Sequence, residues 1–337
     1  MRLIRNLVVG LALLAGWPLG AQAQAPACTG TNLLDELQGT DAGAHARVMA
    51  AAAATENAAA IFWRVEKAGA PASYLFGTMH LTDDRINTLS PAVTAALAAS
   101  RRLVLELDDL SPGGFAKVLA ESPQLAGLMM FTDGRRLEQM LSAEDFAKLS
   151  GVLVRSGVPA QAAGLFRPWL ATLILALSEC EQRRMTTGLL SLDARLAQHA
   201  EQKGSKPLGL ETVEGQFRAL AGVPEADQIE MLKAGVRYYD RIDDMIETMV
   251  QLYLRRQLGA IWPLQLALSE KVGVSPQVFD SAEQAMLGTR NLGMRDKALP
   301  LLAEGGAFIG VGALHLPGRQ GLVALFREAG YTVTAVE

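Results

Sequence analysis

The feature that most constrains the fold is where the short apolar runs fall. Ile61-Phe62-Trp63-Arg64-Val65-Glu66, Ser73-Tyr74-Leu75-Phe76 and Arg102-Leu103-Val104-Leu105-Glu106-Leu107 lie early in the chain, whereas Ala307-Phe308-Ile309-Gly310-Val311 and Tyr331-Thr332-Val333-Thr334-Ala335-Val336 lie at its far end. Runs of this length, rich in β-branched and aromatic residues, read as strands. Between them, from about 111 to about 302, helical periodicity dominates, and only Pro207-Leu208-Gly209-Leu210-Glu211 reads as another short strand. Strands from both ends must therefore meet to bury their faces. The expected fold is α/β, a mixed sheet core formed from N- and C-terminal segments with a large helical insertion and no second core.

Local signals sharpen this. Gly69-Ala70-Pro71 separates the first two runs as a hairpin would, and Ser90-Pro91 is a good N-cap followed by Pro at the first helical position. A helix from there to about Ser100 completes a strand–helix–strand unit. Breaks fall at Gly157-Val158-Pro159, Arg167-Pro168, Gly222-Val223-Pro224 and Val274-Ser275-Pro276. Trp169 to Leu177 is apolar almost all round and too short for a membrane span, which predicts a central buried helix.

The chain begins with Met-Arg-Leu-Ile-Arg, an apolar run from Leu7 to Trp17, and Ala21-Gln22-Ala23. These are the parts of a secretory signal peptide, so residues 1–23 are expected to be removed after Ala23 and residues 24–337 to form one α/β domain in the periplasm, without a membrane span. Such a compartment permits disulfides. Cys28 and Cys180, the only cysteines, then form either one bridge or two buried thiols.

With 31 basic and 35 acidic residues the formal net charge is −4, and the Arg residues come as scattered pairs, not as a stripe. No nucleic-acid partner is expected. Half the residues are hydrophobic, which excludes disorder over most of the length. There is no His-Glu-x-x-His of a zinc protease and no Gly-x-Ser-x-Gly nucleophile elbow. Gly310-Val311-Gly312 imitates a dinucleotide loop but lacks the last Gly and the chain to follow it.

The chain holds four histidines. Two share a local pattern, Gly77-Thr78-Met79-His80-Leu81 and Gly312-Ala313-Leu314-His315-Leu316, each directly after an expected strand. Ligands collect at the carboxyl ends of strands in open α/β sheets, and a Gly there allows a sharp turn and leaves room. Glu106 and Glu211 also end apolar strands. A carboxylate so placed is paired, binds a metal, or caps backbone amides; Glu211 and Glu214 can also serve as parts of a helix cap. His45 and His199 read as surface residues.

Taken together, these segments resemble the TraB/GumN family, which is related to the TIKI metalloproteases and to the erythromycin esterase/ChaN-like superfamily. The matching pieces are Phe76 to Leu81, Leu103 to Asp108, Gly209-Leu210-Glu211-Thr212, Arg290-Asn291 and Val311 to Gly318. The resemblance implies a divalent metal, Mn or Co before Zn, held by His80, His315 and Glu106. It also implies that Glu106 is a ligand or general base and that Arg290, with Arg295 as a competitor, stabilises developing negative charge, while Glu211 and Asn291 bind substrate. Two imidazoles and a carboxylate suit a borderline metal, and water activated there needs no Ser or Cys nucleophile. The implied activity is hydrolysis of a peptide or of a small ester or amide. The alternatives are a protein that sequesters a peptide or a metal-containing ligand without turnover, and an accessory role in polysaccharide export.

Overall fold

The computed structural model describes residues 27–337, so the expected signal peptide, residues 1–23, lies outside the described residues. Six strands form one mixed sheet: β1 (Phe62–Glu66), β2 (Ser73–Thr78), β3 (Arg102–Leu105), β4 (Leu208–Gly209), β5 (Ala307–Gly312) and β6 (Thr332–Ala335), in the order β4-β3-β5-β2-β1-β6. The two ends of the chain do interleave. β5 lies between β2 and β3, parallel to both, and β6 closes the edge antiparallel to β1.

β1 and β2 form the hairpin, with Val65 opposite Ser73, and Gly69 takes a positive φ of 86° in the connection. The helix Pro91–Ala99 follows, with the Ser90 hydroxyl accepting from the Val93 amide, and leads into β3. Alternation along the strands supplies two faces. Phe62, Phe76, Leu103 and Phe308 pack on one side with the N-terminal helices, and Trp63, Leu75, Val104, Ile309 and Val311 pack on the other with Met294, Leu322 and Phe326. The four strands β4, β3, β5 and β2 run parallel, so their carboxyl ends share one edge.

Two expectations are corrected. The helical stretch has a core of its own, built on Leu137, Leu149, Leu153, Trp169, Phe217 and Leu232. The apolar segment is the helix Pro168–Leu175, and it is not enclosed: Leu170, Ala171 and Leu175 are buried, but Leu173 is 46% exposed. One side fills that core, while Thr172, Leu173 and the following Ala176 line a cavity. An all-apolar sequence can reflect two apolar environments as well as burial all round.

Cys28 and Cys180 are joined in a disulfide across 152 positions. By the chain-entropy model, closing a loop of this size stabilises the fold by about 5 kcal/mol. The bond ties the start of the described chain to the helix Glu179–Thr186. On that helix Glu181 accepts from the amide and hydroxyl of Thr82, and Arg184 donates to the Thr82 hydroxyl and carbonyl. The loop after His80 is thereby anchored. Among the described residues no helix is long and apolar enough to cross a membrane.

Candidate metal centre

The shared edge of the parallel strands carries, in order, Glu211 after β4, Glu106 after β3, His315 after β5 and His80 after β2. The strand register aligns them, since Thr78 pairs with Gly312 and Leu105 with Gly209.

The glycines of the two Gly-x-x-His motifs serve by leaving room, not by turning. Neither has a positive φ. A Cβ on Gly77 would lie 3.0 Å from the Ala313 Cα, so its absence lets the two motifs pack together. A Cβ on Gly312 would meet Glu106 Oε1 at 3.2 Å, and His80 Nε2 and His315 Cδ2 at 3.5 Å each. Both histidines and the glutamate thus border one small space in front of Gly312.

Each imidazole is oriented from behind. His315 is 4% exposed, and its Nδ1 is 2.6 Å from Asn291 Oδ1, while the Asn291 amide nitrogen donates to the Gln320 carbonyl. Because an amide oxygen only accepts, the His315 proton sits on Nδ1 and the Nε2 lone pair faces Glu106 Oε1, 3.7 Å away. Burial, reinforced by Arg290, lowers the His315 pKa to about 4 against the pull of Glu106, so the ring is neutral at pH 7. His80 has its Nδ1 2.7 Å from Asp193 Oδ2, and the other Asp193 oxygen accepts from the Thr78 hydroxyl at 2.6 Å. Its ring is 62% exposed at the rim of the crevice, and the Asp193 carboxylate raises its pKa. Backing of Nδ1 by a carboxylate or amide, with Nε2 left forward, is the usual second support of metal-ligating histidines.

Glu106 is 7% exposed. Its Oε1 accepts from the Gly312 amide at 2.7 Å, and its Oε2 accepts from Arg290 Nη2 at 2.8 Å and from the Gln216 amide at 3.1 Å. Burial alone would raise its pKa, but the imidazoles, Arg290 and the Gly312 amide outweigh it and hold the group at about 2. It is therefore an anion at any neutral pH.

Arg290 stands on the helix Thr289–Glu304, just past a π-helical turn at Gln284–Gly288. It bridges Glu106 and Glu211, donating to Glu211 from Nε at 3.0 Å and from Nη2 at 2.6 Å, and from Nη1 to the Met286 carbonyl at 3.1 Å. Gln216 also reaches both carboxylates. Glu211 is thus committed to Arg290; the helix cap is supplied instead by Thr212, whose hydroxyl accepts from the Gly215 amide. Asn291, expected to meet substrate, is 2% exposed and stands behind His315. Arg295 pairs with Asp296 and takes no part.

Sequence reasoning missed Asp193, Thr78 and Gln216, and also Tyr253, whose hydroxyl donates to the Gly77 carbonyl at 2.8 Å. Gln216 had a faint signal, one helical turn after the strand-end Glu211; Asp193 looked like any acid in a helix's first turn.

The donors suit a borderline divalent metal: a neutral imidazole with a forward Nε2, a second imidazole at the rim, and an ionised carboxylate. Two carboxylates, Glu106 and Glu211, face one guanidinium, which leaves a net negative charge at the edge for a cation to offset. The cluster is not closed, however. Among the described residues no group of three or more His, Cys, Asp or Glu side chains is placed so that it could hold a metal ion as the side chains stand.

No curated protein and no solved structure matches this chain. The model of the TraB/PrgY/gumN family matches residues 61–335, from the first strand to the last, so the chain belongs to that family.

Proposed function

We propose that this protein is an exported, periplasmic metal-dependent hydrolase, with His80, His315 and Glu106 holding Mn or Co, or else Zn, and a peptide or a small ester or amide as substrate. The observation that carries this reading is the meeting of the two Gly-x-x-His imidazoles with Glu106 around the space at Gly312, each imidazole backed at Nδ1. A bound divalent metal supplies Lewis acidity and lowers the pKa of water toward neutrality.

The chain's own groups do the rest. Asn291 keeps the proton of His315 on Nδ1 and leaves its Nε2 free as a ligand. Asp193 instead holds Nδ1 of His80 and raises that ring's pKa to about 9, so its Nε2 serves as a ligand once its proton is displaced on metal binding. Arg290 and the Gly312 amide keep Glu106 ionised and fixed in direction. The exposed His80 ring places the open side of the site toward solvent, where substrate enters. The disulfide supports export to an oxidising compartment.

One observation favours a second reading, capture of a peptide or metal-containing ligand without turnover. Arg290 is fully engaged by Glu106, Glu211 and Met286, so it holds carboxylates and is not turned toward a developing oxyanion. The two readings are separated by incubating purified protein with a peptide library and with simple esters, with Mn or Co and with chelator. Metal-dependent cleavage supports the hydrolase; tight metal-dependent capture without cleavage supports the binding protein.

A further inference from the structure

The helical stretch contains a cavity of about 310 Å³, bounded by the helices Pro168–Leu175, Glu225–Tyr238 and Ile261–Lys271. No charged side chain lines it. Its surface includes Trp169, Trp262 and Phe279, and three methionines, Met231, Met245 and Met286, side chains that adapt to irregular apolar shapes.

Of the polar side chains in the wall, Gln228, Ser269 and Thr172 are already occupied, which leaves Tyr238 and Gln265 to meet a ligand's polar end. The Gln228 amide nitrogen donates to the Val223 carbonyl at 2.6 Å, and its oxygen accepts from the Trp169 amide. The Ser269 hydroxyl donates to the Leu266 carbonyl, and the Thr172 hydroxyl to the Pro168 carbonyl. A peptide backbone or a sugar entering this space would give up its hydrogen bonds to water for few in return. An alkyl chain gives up none. The volume is also about twice that of a cavity known to hold a benzene ring, more than a single apolar side chain needs.

The cavity wall and the carboxylate–arginine cluster share two elements. Leu220 in the wall lies four residues after Gln216 on one helix, and Met286 in the wall lies four residues before Arg290 on the other. Four residues are about one helical turn, roughly 6 Å.

We infer that this cavity is an acyl-chain site and that the substrates of the neighbouring centre are esters or amides of medium-length, unbranched acids, the chain lying among the methionines. This rests on the hydrolase reading for the word substrate, though not for binding. In the reaction, water adds its oxygen to the acyl carbon, the C–O or C–N bond breaks, and the proton passes to the departing alcohol or amine, leaving the free acid.

The experiment is calorimetric titration of the full disulfide-bonded protein, free of metal, with the sodium salts of straight-chain acids from hexanoate to tetradecanoate. Affinity should rise about fourfold per methylene until the cavity is full. A Cβ on Gly235, a cavity residue, would touch only Leu175 Cδ1, at 3.6 Å, so Gly235→Leu grows into the space and should weaken decanoate binding at least tenfold. Should that variant fold poorly, Ala176→Trp at the exposed rim blocks the same entrance and serves in its place. Binding should persist in His80→Ala/His315→Ala, which separates the cavity from the metal centre: loss of hydrolysis alone counts against the function, not against the acyl site. The inference is overturned if the acids do not bind, if affinity ignores chain length, if the filling variants bind as well as wild type, or if a short apolar peptide binds in preference to decanoate.

Discussion

The Gly312 backbone amide donates to Glu106 Oε1 at 2.7 Å, so the glycine that opens one histidine motif also fixes the carboxylate contributed by another strand. A Cβ at the same position would stand 3.2 Å from that oxygen, close enough that the carboxylate would have to shift by a few tenths of an ångström. Gly312 has an ordinary φ of −50°, so Gly312→Ala should fold with a stability change of about 1 kcal/mol or less. It should weaken metal binding more than tenfold, read by titrating Mn or Co into the folded variant. Unaltered affinity would mean that no ion sits in front of Gly312.

Asp193 tests positioning. Asp193→Asn keeps the shape but removes the charge behind His80. Metal affinity should fall by about ten- to a hundredfold, and the His80 pKa, followed by NMR in metal-free protein, should drop toward the usual histidine range. A merely structural aspartate would leave that titration where it was.

Arg290 is bonded to two largely buried carboxylates. Arg290→Leu should cost about 3 to 5 kcal/mol in urea unfolding, because both carboxylates are left uncompensated. Adding Glu106→Gln and Glu211→Gln to the variant should restore a good part of that loss. Additive losses in the triple variant would show that the three groups do not act as a unit.

Acid sensitivity follows from His315. Its folded pKa of about 4 lies below the unfolded value of about 6.5, so below pH 6.5 the unfolded chain takes up the proton first. The His315 contribution should therefore make the metal-free protein lose about 3 kcal/mol in all as pH drops from 6.5 toward 4. His80, whose pKa Asp193 raises to about 9, makes it lose stability again as pH rises from 6.5 toward 9. Glu106 adds a further loss between about 4.5 and 2. Urea unfolding across this range checks the sign, and His315→Gln should flatten the upper part of the profile. A variant curve parallel to wild type between pH 6.5 and 4 would assign the dependence to other groups.

The strands were legible because they are short apolar runs with clear punctuation, and a sheet shared by both chain ends follows from their need to bury their faces, but the order that puts β5 between β2 and β3 was not readable from the sequence. His80, Glu106, Glu211 and His315 stood out because each ends such a run. What supports them did not, since the partners lie far off in sequence: Asp193 is 113 positions from His80, and Arg290 is 184 from Glu106. A first-turn aspartate and a helical arginine look the same whether they face water or a buried site. Hydrophobic periodicity also does not distinguish a core from a cavity wall, which is why the helix Pro168–Leu175 was expected to be enclosed.

The central claim is that His80, His315 and Glu106 hold one divalent ion, and the most direct test is metal stoichiometry and affinity for Mn and Co, measured on the folded, disulfide-bonded protein. Wild type should bind one ion per chain. His80→Ala/His315→Ala and Glu106→Gln should each lose that binding while retaining the fold by circular dichroism. Equal binding in wild type and the double histidine variant would contradict the account.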